Sequence, residues 1–175
     1  MHPRLAEIVD YIAEQRRALL AAVEAVPADR RDERPAPDTW SVAEVLDHLQ
    51  RVESGSTRLL ARRVARARES GLPPETETGS LLRSLDATGL LDGPPRKAPE
   101  FVLPSPDARA SDALVALEAS RAELLRLLAE VDGLDLTKVT ATHAALGELN
   151  VYQWTLFLGE HERRHARQVV AIAAS

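Results

Sequence analysis

Four long stretches of this chain place apolar residues three and four apart, and that period admits amphipathic helices and little else. The first runs from about Pro3 to Val26, with Leu5, Ile8, Val9, Ile12, Leu19, Leu20 and Val23 on one side. Pro3 suits a first helical turn and Pro27 stops the helix. The second runs from Val42 to about Arg68 on a stripe of Val42, Val45, Leu46, Leu49 and Val52. It opens on Ser41-Val42-Ala43-Glu44, a capping box in which hydroxyl and carboxylate each satisfy an orphan backbone N–H. The third, from about Ser111 to Val131, turns Leu114, Leu117, Leu124, Leu125, Leu128 and Val131 inward and ends at Asp132-Gly133. The fourth, from about Val151 to Ala173, starts at Asn150 with Gln153 three residues on, a second capping-box pattern.

Nothing between these stretches reads as a strand, because no run of β-branched residues alternates with polar ones. Residues 27–40 form a short polar connection with Pro35 and Pro37. Residues 69–110 form a long one, rich in proline, inside which Ser80 to Asp86 is expected to make a short helix. A connection of that length is either a functional lid or binding loop, or a plain crossover between helix pairs. The expected fold is all-α, a four-helix bundle with one long crossover connection, spanning residues 1–175 as one domain.

Composition narrows the function. The chain is 45% hydrophobic and 28% charged, as a globular protein should be, and its formal net charge of −5 argues against a nucleic-acid partner. The one basic run (Arg58, Arg62, Arg63, Arg66, Arg68) reads as a solvated helix face, with anion or phosphate binding as the alternative. There is no cysteine, so disulfides, thiolate-held zinc and a thiol nucleophile are excluded, and the five histidines become the strongest borderline metal ligands. No stretch of 18 apolar residues and no signal-peptide pattern is present, so a soluble, cytoplasmic chain with no membrane partner is expected. Aromatics make up only 3% of the residues, which makes Trp40, Phe101, Trp154 and Phe157 worth locating.

His161-Glu162-Arg163-Arg164-His165 places two imidazoles four residues apart, about 40° apart around a helix and one turn up, so both can reach one ion. Trp154, Leu158, Val169 and Ile172 share their side of the helix, and Gln168 lies on the same line. The pair therefore faces inward, either as metal ligands or as a buried hydrogen-bonded pair. The pentapeptide matches the zinc-protease pattern, but Ala166 to Ser175 contain no third ligand and no sheet is evident to align a peptide. Glu162 is thus expected to hold its place in that pattern by coincidence. A third ligand must come from upstream, and His48, flanking the apolar stripe of the second helix, is the best candidate. His143, in a small-residue loop from Thr140 to Gly147, is either at the mouth of the site or merely exposed, and His2 is expected to be inert.

Trp40-Ser41 leading into Val45-Leu46-Asp47-His48-Leu49, with Leu146-Gly147-Glu148-Leu149-Asn150, Trp154 and His161-Glu162-Arg163-Arg164-His165-Ala166-Arg167-Gln168, resembles the DinB-like (DinB/YfiT) family of four-helix metalloproteins. The likeness covers nearly the whole chain, including Arg96 and Pro99-Glu100-Phe101 in the crossover. It implies a divalent metal, commonly nickel or zinc, held by His48, His161 and His165. It also implies a thiol-dependent enzyme, an S-transferase or isomerase that uses mycothiol, bacillithiol or glutathione.

Three neutral imidazoles leave a divalent ion its full charge and open positions, where a thiol deprotonates on binding or water becomes acidic. The expected function is therefore transfer of a low-molecular-weight thiol to a small electrophilic substrate. Arg83 or Arg96 is expected to meet the thiol cofactor's acidic groups. The alternatives are a metal-dependent hydrolase, with Glu44 or Glu160 as base, and a non-enzymatic metal-binding or stress-response bundle. A homodimer is compatible with such a bundle.

Overall fold

The computed structural model describes residues 1–86 and 97–174. Four helices dominate it: α1 (Pro3–Glu24), α2 (Val42–Glu69), α3 (Ala110–Glu130) and α4 (Val151–Ala173). Both expected capping boxes form. Ser41 Oγ accepts from the Glu44 N–H and the Glu44 carboxylate accepts from the Ser41 N–H. Asn150 and Gln153 exchange the same pair of bonds at the start of α4.

Contacts fix the helix directions. Tyr11 donates to Glu160 and Arg16 to Glu162, so α1 and α4 run the same way. One apolar cluster joins the first halves of α1 and α4 (Ile8, Ile12, Leu156) to the second halves of α2 and α3 (Leu60, Val64, Leu124, Leu128). The other joins Leu19 and Val23 to Val45, Leu46 and Leu117, and to Val169 and Ile172. Hence α2 and α3 are parallel to each other and antiparallel to α1 and α4. A parallel return has to span the length of a helix, about 40 Å for α2, which is why the 70–109 connection is long.

Between the two clusters lies a buried polar layer with a member from every helix. Arg121 of α3 donates to Glu53 of α2 (2.7 Å) and to Glu162 of α4 (2.9 Å). Arg16 of α1 donates to the same two carboxylates at 2.9 and 2.8 Å, and the Ser120 hydroxyl donates to Glu53.

Several expectations need correction. Thr140 to Gly147 is not a loop: Thr140–His143 (β1) and Gly147–Asn150 (β2) form an antiparallel hairpin pairing Ala141 with Leu149 and His143 with Gly147. Gly147 has φ +76°, the left-handed residue that closes a three-residue hairpin loop. The expected short helix from Ser80 to Asp86 is mostly turns, over 82–85, with Asp86 in a 3-10 turn: Ser84 N–H donates to the Leu81 carbonyl and Asp86 N–H to that of Arg83. Leu125 is exposed, and Ser120 and Arg121 take the buried face of α3 instead. The crossover is also tied down: Pro74 bridges Leu134, and buried Glu75 accepts from Tyr152 (3.0 Å) and Arg4 (3.3 Å).

Candidate metal centre and its cavity

Two turns in from the Ser41 cap, α2 points His48 at His161 and His165 on the neighbouring α4. The Nε2 atom of His161 lies 3.2 Å from that of His48 and 3.1 Å from that of His165. Outside this point, His48 Nδ1 donates to the Val102 carbonyl at 2.7 Å and His165 Nδ1 donates to Gln168 Oε1 at 2.8 Å. Those acceptors place the ring proton on Nδ1 and leave Nε2 as a bare lone pair. At least two lone pairs therefore meet the third imidazole at contact distance, an arrangement that a shared cation relieves. Metal–nitrogen bonds of about 2.05 Å would be compatible with nitrogens 3.1–3.2 Å apart. The three histidines, their ligand nitrogens all within 4.8 Å of one another, could hold one metal ion.

Electrostatics agree with the geometry. Burial pushes the imidazole of His48 down in pKa against the pull of the Val102 carbonyl and Asp47. Burial pushes His165 to about 4, with His48 adding to the shift, and pushes His161 well below its ordinary value, with His165 and His48 beside it. All three are neutral at pH 7, the form that binds a metal.

The centre lies at one side of a cavity of about 1260 Å³ between α2, α4, the hairpin and the end of the crossover. Every Trp and Phe of the chain lines it: Trp40, Phe101, Trp154 and Phe157. Trp40 lies 5.0 Å from the His48 ring and stacks on His165 at 6.3 Å, while Phe157 stacks on His161 at 5.4 Å. His143 belongs to the wall, its ring 4.5 Å from Phe157, and its Nδ1 accepts from the N–H groups of Ala145 and Leu146. Those bonds put its ring proton on Nε2.

The other sequence candidates fall away from the centre or onto its rim. Glu162 turns from the histidines into the buried layer with Arg16 and Arg121, so it is not placed to act as a base. Glu44 is held by its capping box and by Arg34; burial pushes its carboxyl pKa up, but the Arg34 and Ser41 contacts together bring it below the ordinary value. Glu160 does line the cavity, where it accepts from Tyr11 and Arg163. Arg83 is exposed and paired with Asp86, away from the cavity, and Arg96 lies outside the described residues. His2 sits at the amino terminus, its backbone N–H donating to Asp132.

Two features had weak or no signal in the sequence. A backbone carbonyl such as that of Val102 has no residue-type signature. Buried Arg121 and half-buried Arg16 occupy positions where the apolar pattern merely lapses.

Comparison with known proteins gives a consistent picture. The family model described as the DinB superfamily matches residues 11–169. The chain is 30% identical over 145 residues to the "Uncharacterized protein YuaE" of Bacillus subtilis (strain 168), covering 82% of this chain and 83% of that one. It is similar in fold to TT2238, whose crystal structure is described as a four-helix bundle protein, with a TM-score of 0.57, 22% identity, and 98% and 99% of the two chains covered.

Proposed function

The chain belongs to the DinB superfamily, and from that premise we propose that it is a metal-dependent enzyme transferring a low-molecular-weight thiol to a small electrophile. The observation that carries the reading is the convergence of three neutral imidazole nitrogens at the wall of a large, aromatic-lined cavity. A zinc or nickel ion bound there supplies the charge that makes a coordinating thiol acidic. His48, His161 and His165 would hold that ion, the Val102 carbonyl and Gln168 keep two of the rings aimed at it, and Trp40 and Phe157 shield it from bulk water. In the transfer the thiol's sulfur forms a bond to carbon, the leaving group departs with its bonding pair, and the thiol proton goes to water. Mycothiol, bacillithiol and glutathione are the thiols proposed, and the cysteine-free chain fits a chemistry whose sulfur is brought in by a small molecule.

We also place the protein in the cytoplasm, acting on a small molecule and not on nucleic acid, as a single domain able to pair with a second copy. In support, among the described residues no helix is long and apolar enough to cross a membrane, and the net charge is −5.

The test is metal content by mass spectrometry on wild type, His48→Ala and His161→Ala, followed by turnover of electrophiles with each thiol. Near-stoichiometric zinc or nickel in wild type alone, with turnover only when thiol is added, is the expected result. Thiol-independent cleavage of a chromogenic ester would replace transfer by hydrolysis. Bound metal without any turnover would leave a binding protein. No metal after reconstitution would overturn the reading.

A further inference from the structure

We infer that the cavity takes an elongated anion, its acidic group held by Arg58 and Arg62 of α2 about 10–15 Å from the atom that meets the histidines. The inference rests on the metal-centred reading above and adds a ligand class to it. His48, Arg51, Gly55, Arg58 and Arg62 recur three or four residues apart, so one face of α2 carries His48 at one end and arginines at the other. At about 1.5 Å per residue, Arg58 and Arg62 sit some 15 and 21 Å beyond His48, and helical side chains lean back toward the N-terminus, here toward the centre.

Three further observations separate this wall from an ordinary solvated face. Arg51 is neutralised by Asp47 at 2.8 Å, whereas Arg58 and Arg62 have no ion-pair or hydrogen-bond partner among the described residues. The lining carries two carboxylates, Asp38 and Glu160, of which Glu160 already serves Tyr11 and Arg163, against Arg51, Arg58, Arg62, Arg164 and, from the crossover, Lys97. In an acidic protein this is a local reversal of sign.

Gly55 is the third observation. It lies in the interior of α2, where glycine costs about 1 kcal/mol against alanine, and a Cβ there would meet nothing within 4 Å. Protein packing does not require it. It sits on the cavity wall between His48 and Arg58, where a bare backbone leaves a path from centre to arginines.

The probe is octanedioic acid monohydroxamate, whose hydroxamate coordinates divalent metals without a thiol and whose extended chain matches the proposed distance; its methyl ester is the neutral control. Both are titrated calorimetrically into cobalt-loaded protein while the cobalt spectrum reports engagement at the centre. At low salt the acid is expected to bind about tenfold more tightly than the ester, consistent with two exposed ion pairs. The advantage is expected to shrink below about threefold in Arg58→Ala/Arg62→Ala and in about 0.5 M salt, and to persist in Arg68→Ala. Gly55→Leu is expected to weaken both compounds and leave acetohydroxamate binding unchanged.

Equal binding of acid and ester by wild type, or an advantage that survives the double variant, overturns the proposal. A cobalt spectrum blind to both compounds overturns the metal-centred reading instead; an acid preference lost in the double variant then still sustains the anion site. Because the probe carries no thiol, failure of thiol transfer leaves the result intact.

Discussion

His48 and His165 each turn Nδ1 toward an oxygen and Nε2 toward a shared point, so their tautomers are set before any ion arrives. That preparation has a measurable cost in acid. In the unfolded chain a histidine titrates near 6.5, whereas folded His165 is pushed to about 4 by burial with His48 adding to the shift. Between those values the unfolded state binds more protons, so stability is complete above about 6.5 and falls as the pH drops toward 4. His165 alone should cost the metal-free protein about 2 kcal/mol between pH 7.5 and pH 5, with His48 and His161 shifting in the same direction. Urea unfolding of the metal-free protein at the two pH values checks this, and an unchanged midpoint would refute it. The histidines were legible because spacing and stripe are properties of residue type. The acceptor on Val102 was not, since any residue there offers the same carbonyl.

Each helix end matched its sequence signal where a polar side chain caps it, as at Ser41 and Asn150. The hairpin before α4 escaped because its strands have four residues each and only Ala141 and Leu149 are buried. Its sequence signal was Gly147 alone. Within α4, Gly159 packs against α1: a Cβ there would lie 3.0 Å from Ile12 Cγ2 and from Tyr11 Cε1. Alanine would gain about 1 kcal/mol of helix propensity but meet overpacking of roughly 1–3 kcal/mol, and Tyr11 is pinned by its hydroxyl on Glu160. Gly159→Ala is therefore expected to lower the melting temperature by several degrees. An unchanged or higher value would mean that Tyr11 gives way.

Across the whole molecule, the number of helices and the single long connection were readable from period and length. The helix directions were not, because charged positions such as Arg16, Glu53 and Arg121 read as surface. Burial raises the Glu162 pKa despite both guanidiniums, so the layer is held at a cost in desolvation. Arg121→Met should lose about 3–5 kcal/mol, because it leaves two buried carboxylates short of a partner. Glu162→Gln should lower stability yet keep the metal and any thiol-dependent activity, whereas a base on the protease pattern would lose turnover outright. Chemical denaturation of both variants, with metal analysis and a turnover assay on Glu162→Gln, separates these outcomes.

A bundle with only oil between its helices can slide by a turn and bury nearly as much as before. Here a slide of α4 by one turn, about 5.4 Å, would pull Glu162 off both arginines. The same slide would carry His161 and His165 off the height of His48, because residue 162 sits between them on one rigid rod. The ionic layer thus works as an indexing notch. A chain that has clicked into it has already set its histidines level, and a ligand need do no aligning of its own.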